Sequence, residues 1–130
     1  MNALSKTLFT LAGLGNGLLG MWLSVFPEET ILVLIPSPPT AAGILLIKVS
    51  GALFFGFGVL GYMSRGSHLG GIYGRPIVFS TGLSHLIIGV QSLKFLYCHE
   101  TPSPQLLTGF SLFYLVLGIG IGALLFRSPV

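Results

Sequence analysis

Four long stretches of this chain carry almost no charge, and that limits what it can fold into. They run from Ser5 to Phe26, Ala41 to Ser64, Pro76 to Tyr97 and Pro104 to Phe126, and Lys48 is the one charged residue well inside any of them. Each is longer than the ~20 apolar residues that cross a ~30 Å hydrocarbon core as a helix. Only 7% of the 130 residues are charged and 52% are apolar, whereas a soluble domain carries ~25% charged residues and needs them for its surface. The expected fold is therefore all-α, an integral membrane four-helix bundle. Residues 1–130 are expected to form a single transmembrane domain with spans at 5–26, 41–64, 76–97 and 104–126, with no room among them for a soluble domain.

The remaining composition narrows the function classes. The net charge of +3 comes from basic residues scattered singly, not from the clustered patch that marks a nucleic-acid surface. Cys98 is the single cysteine, so no internal disulfide is expected. The first apolar stretch is too long for a secretory signal, and no small-residue cleavage pattern follows it before Pro27-Glu28-Glu29. Neither end carries a lipidation motif.

Charge sets the expected orientation, because short loops rich in Lys and Arg stay cytoplasmic. Lys6, Arg65, Arg75 and Arg127 fall on one face, and Glu28, Glu29, His99 and Glu100 on the other. Lys94 is the exception and can snorkel to the interface along its own stem. Both termini are thus expected on the cytoplasmic side. The first loop holds the apolar run Ile31-Leu32-Val33-Leu34-Ile35. It is too short to cross and is expected in the interface or folded back over the bundle mouth. The Gly-rich second loop, Gly66 to Gly74, is expected to be flexible. Trp22, Tyr62, Tyr73 and Tyr97 stand near span ends, where amphipathic aromatic rings favour the headgroup level.

Each span carries a stripe of small and polar residues at helical spacing: Gly13, Asn16, Gly17, Gly20 and Ser24; Lys48, Gly51, Ala52, Phe55 and Gly58; Thr81, Gly82, His85, Gly89 and Ser92; Ser111, Tyr114, Gly118 and Gly122. Helices in lipid associate through such small residues, so these faces are expected to look inward. At a rise of ~1.5 Å per residue, Asn16, His85 and Tyr114 each lie ~14–16 Å from a span end, near the midplane. They are expected to form one buried polar layer with Lys48 one turn above it. These three are the candidate cofactor-binding residues.

For His85 the plain role is a hydrogen bond to Asn16 or Tyr114, since polar groups inside a membrane need internal partners. The sharper alternative is axial ligation of a chlorophyll or haem, although no second intramembrane His is available for a bis-histidine haem. A contact to a substrate, lipid or proton is a third role. No cofactor is required by the sequence. Lys48 is costly inside a span. It is expected either to pair with Glu28 or Glu29 or to anchor a carboxylate or an anionic headgroup. Cys98-His99-Glu100 lacks a second cluster at ligand spacing and makes no zinc site. The spans contain no carboxylate, and Ser84-His85 are adjacent residues that do not face each other on a helix, so no catalytic residue is assigned.

Two families are similar in layout. A Gly-rich first span closing on Phe26-Pro27, and Lys48-Val49-Ser50-Gly51 opening the second, resemble the DoxX-like four-span membrane proteins. Gly15-Asn16, the basic residue three before Gly51, and Gly82-Leu83-Ser84-His85 resemble the ergosterol-biosynthesis scaffold family. The likeness to that family implies a tether for membrane enzymes with no catalysis of its own. Lys48 stands where both patterns usually carry Arg, which removes bidentate pairing.

The leading functional expectation is a non-enzymatic accessory or scaffold subunit of a larger membrane complex, whose partners are the lipid bilayer and a larger membrane protein or a second copy of itself. The alternative is a binding or transport module for a lipid, sterol, quinone or pigment that uses the polar layer. A membrane enzyme with Lys48 or His85 as base comes third.

Overall fold

The computed structural model describes residues 3–66 and 74–127, and within them the chain is helical: α1 (Ala3–Val25), α2 (Pro27–Leu34), α3 (Ala41–Ser64), α4 (Gly74–Cys98) and α5 (Pro104–Arg127). Four of these helices, all but α2, are long and apolar enough to cross a membrane. Segment 41–64 coincides with α3, and the other three differ from expectation by one or two residues at their ends. The greater part of the expected flexible loop, 67–73 with Tyr73, lies outside the described residues.

The long helices pair as two antiparallel hairpins, α1 with α3 and α4 with α5, which meet chiefly through α1 and α5. Glycine makes the α1–α3 seam. A Cβ placed on Gly13 would stand 2.6 Å from the backbone nitrogen of Tyr62, and one on Gly51 would stand 2.8 Å from that of Ser24. Added carbons on Gly20 and Gly58 would run into the backbones of Phe55 and Gly17. Ordinary carbon contacts lie at about 3.5–4.0 Å, so the two backbones touch where a side chain would otherwise hold them apart. The α4–α5 seam is looser and alternates glycine with leucine: Gly89 faces Leu115, and Gly118 faces Leu86.

Along the bundle axis the interior changes character. At the end bearing Ala3 and Arg127, Phe9, Ala12, Val78, Leu117, Ile121 and Leu124 form a close apolar core drawn from α1, α4 and α5. Asn16, His85 and Tyr114 occupy the middle, each buried. At the other end α2 packs on α1 and α3, beside a space left between the two hairpins.

The segment expected as an irregular loop is partly helical, and α2 is the difference. Pro27 at the first helical position has no N–H to leave unsatisfied, and Glu28 and Glu29 occupy the first turn, where negative charge suits the helix dipole. Ile31 is buried and holds α2 down on α1 and α3. The short apolar run thus folds back over the bundle mouth. After it, Thr40 caps α3 by accepting a bond from the Gly43 N–H at 3.1 Å, a usual role for a hydroxyl residue at that position.

Three stripes turn inward largely as expected; the α3 stripe needs correction. Gly51 and Gly58 are buried, together with Gly61 and Ser64, but Lys48, Ala52 and Phe55 are exposed on the bundle's outer surface. Gly51 already packs against Ser24, next to the end of α1 at Val25, so one turn earlier Lys48 has no α1 backbone to face. Lys48 therefore does not sit one turn above Asn16, His85 and Tyr114, and among the described residues it makes no ion pair with Glu28 or Glu29.

Candidate functional site: a polar latch beneath an apolar cavity

Asn16 on α1, His85 on α4 and Tyr114 on α5 are brought together by the same small-residue faces that pack the hairpins. Their hydrogen bonds form a chain whose direction is set from one end. His85 Nδ1 lies 2.7 Å from the carbonyl oxygen of Thr81, one turn back on α4. A carbonyl only accepts, so Nδ1 carries the proton and Nε2 offers a lone pair. Asn16 Nδ2 stands 3.3 Å from Nε2 and donates to it. The Asn16 amide oxygen is thereby turned toward Tyr114, whose hydroxyl donates to it at 2.6 Å. Flipping the Asn16 amide would set its oxygen against the Nε2 lone pair of His85, two acceptors face to face.

The latch thus joins both hairpins, and each of its bonds has a donor and an acceptor in place. Buried polar groups need such completeness, because an unpaired one costs ~1–3 kcal/mol. Both ring nitrogens of His85 are engaged within the protein, so a metal at Nε2 would first have to displace Asn16. The His85 and Tyr114 rings also stack, with centroids 5.2 Å apart. Among the described residues no group of three or more His, Cys, Asp or Glu gathers at metal-binding spacing. Cys98 is exposed at the end of α4.

Tyr114 is wrapped in aromatic rings: Phe110 at 4.6 Å, Phe113 at 5.6 Å and Phe54 at 6.3 Å between centroids. Phe54 and Phe110 separate the latch from what lies above it, a cavity of about 560 Å³ between the two hairpins. Each wall is a helical face. Leu19, Trp22 and Leu23 come from α1, Ile47, Ser50 and Phe54 from α3, Ile88, Gln91, Ser92 and Phe95 from α4, and Leu106, Leu107 and Phe110 from α5. The roof is α2, through Glu29, Thr30, Val33 and Leu34. A volume of this size falls within the ~300–1,000 Å³ typical of small-molecule sites, as does an apolar lining with few polar groups.

Sequence reasoning singled out Asn16, His85 and Tyr114, and the structure brings all three together. Lys48, the expected anchor, does not line the cavity. The cavity residues were missed, though one signal was present. Ile88, Gln91, Ser92 and Phe95 repeat at three- and four-residue spacing, which puts an uncharged amide on one face of α4. Comparison with known proteins finds no matching family model, no similar curated protein and no similar solved structure.

Proposed function

We propose that this chain is a multi-pass membrane protein, with both termini on the cytoplasmic side, that binds a membrane-soluble apolar molecule between its two helical hairpins. The observation that carries this reading is the cavity beneath α2. That space is apolar, about 560 Å³ in volume and open along part of its boundary, so a membrane-soluble apolar molecule can enter it and cover the helical faces that line it. In this reading the latch is the floor support. It holds the hairpins at a fixed separation below the cavity, while α2 limits entry from above.

Native mass spectrometry after mild-detergent release from the source membrane tests the proposal. A stoichiometric small-molecule adduct is expected, and it should be lost when Ser50→Phe or Ser92→Phe fills the cavity. Two separate filling variants guard against one of them failing to fold. A bare chain that retains a protein partner at fixed stoichiometry would instead give the accessory-subunit function and overturn the binding reading.

A further inference from the structure

The polar atoms around the cavity specify the headgroup of its ligand, an inference that rests on the binding reading above. Three hydroxyls line the cavity, and each has already spent its proton on its own helix. Thr30 donates to the carbonyl of Phe26 at 2.7 Å, Ser50 to Leu46 at 2.8 Å and Ser92 to Ile88 at 2.8 Å. A hydroxyl has one proton to give, so these three present only lone pairs to the cavity. Glu29, the only charged residue in the lining among the described residues, is likewise an acceptor when ionised. Gln91 and Trp22 add side-chain N–H donors to the lining. Among the described residues no Lys or Arg lines the space: Lys48 and Lys94 stand on the lining helices but are exposed and do not reach it.

A lining with one carboxylate and, among the described residues, no cation selects against an anionic ligand. We infer that the cavity takes an amphiphile with an apolar body and a hydrogen-bond-donating headgroup, a hydroxyl or an ammonium, oriented toward α2. It excludes amphiphiles whose headgroup is anionic. A carboxylate or phosphate there would meet Glu29 as a like charge with no Lys or Arg of the described residues to pair with, and an unpaired charge is costly in apolar surroundings. A donor headgroup meets the opposite situation. It finds Glu29 at the roof and the hydroxyl oxygens of Thr30, Ser50 and Ser92 around the wall. The apolar body then extends toward Phe54 and Phe110.

Trp22 is the sole tryptophan of the chain and lines the cavity, so its fluorescence reports occupancy. The experiment adds brominated stearyl alcohol, stearylamine or stearic acid to the full-length protein in zwitterionic nanodiscs. It reads the part of Trp22 quenching that saturates and is displaced by the unlabelled analogue. The alcohol and amine are expected to quench saturably with about tenfold or greater preference over the acid. In Glu29→Gln the acid should gain while the alcohol changes little. Equal saturable binding of acid and alcohol would overturn the headgroup assignment and leave the cavity reading intact. Continued exclusion of the acid in Glu29→Gln would overturn the role given to Glu29. Quenching that never saturates with any of the three probes would overturn the cavity reading itself.

Discussion

Replacing Gly13 with alanine should weaken the bundle, whereas the same change at Gly17, one turn along α1, should not. The two positions look alike in sequence, a small-xxx-small pair on one helix face. In the structure a Cβ on Gly13 would lie 2.6 Å from the Tyr62 nitrogen and 3.0 Å from the Gly58 carbonyl oxygen, while one on Gly17 meets nothing within 4 Å. Bringing the first contact to an ordinary ~3.5 Å requires α1 and α3 to separate by about 1 Å, which loosens dispersion contacts along the whole seam. Overpacking of this kind costs ~1–3 kcal/mol. Alanine also gains up to ~1 kcal/mol in helix propensity, but both variants share that gain, so it cancels in their difference. The expected gap between them is therefore ~1–3 kcal/mol, about 5- to 150-fold in the unfolding equilibrium. Reversible unfolding in mixed micelles of rising SDS fraction, followed by far-UV circular dichroism and Trp22 emission, measures it. Equal midpoints, or a Gly17→Ala variant weaker than Gly13→Ala, would refute the backbone-contact account of the seam.

The α4–α5 seam should behave in the same way. Gly118→Ala meets Leu86, including its backbone nitrogen at 2.8 Å, and should destabilise by ~1–3 kcal/mol, while Gly122→Ala meets nothing and should be neutral in the same titration. Tyr114→Phe leaves the Asn16 amide oxygen without its donor and should cost about 1 kcal/mol, with a double-mutant cycle against Asn16→Leu returning a coupling of ~0.6–1.7 kcal/mol; zero coupling would mean the latch does not join the hairpins. Cys98, the single cysteine and exposed, should react with a membrane-impermeant maleimide only from the non-cytoplasmic side of sealed vesicles, and labelling from the cytoplasmic side would reverse the orientation.

Much of the fold could be read in the sequence because it follows from one dimension of the chain: runs of apolar residues of spanning length give α1, α3, α4 and α5 directly. The latch was also legible. Asn16, His85 and Tyr114 are polar residues on small-residue faces, and such faces turn toward neighbouring helices. Lys48 misled for a related reason. Its spacing from Gly51 is compatible with the inward face, but Gly51 already packs against Ser24 beside the end of α1, so Lys48 lies past the seam. The α2 helix was hidden because eight residues between prolines show too little periodicity to separate a helix from a loop; burial of Ile31 decides the matter, and burial is tertiary. The cavity was least legible of all. It lies between the two hairpins above the latch, and its walls combine residues such as Leu19, Ile47, Gln91 and Phe110 that share no sequence pattern.

The central claim is that a membrane-soluble molecule occupies the space between the hairpins, and photo-crosslinking tests it most directly. A long-chain alcohol with a diazirine in its tail, irradiated with the full-length protein in nanodiscs, should label lining residues such as Leu19, Ile47, Ile88 and Leu107, and excess unlabelled alcohol should abolish that labelling. Adducts confined to outward-facing residues such as Leu18, Leu46 and Val90, insensitive to competitor, would contradict the account.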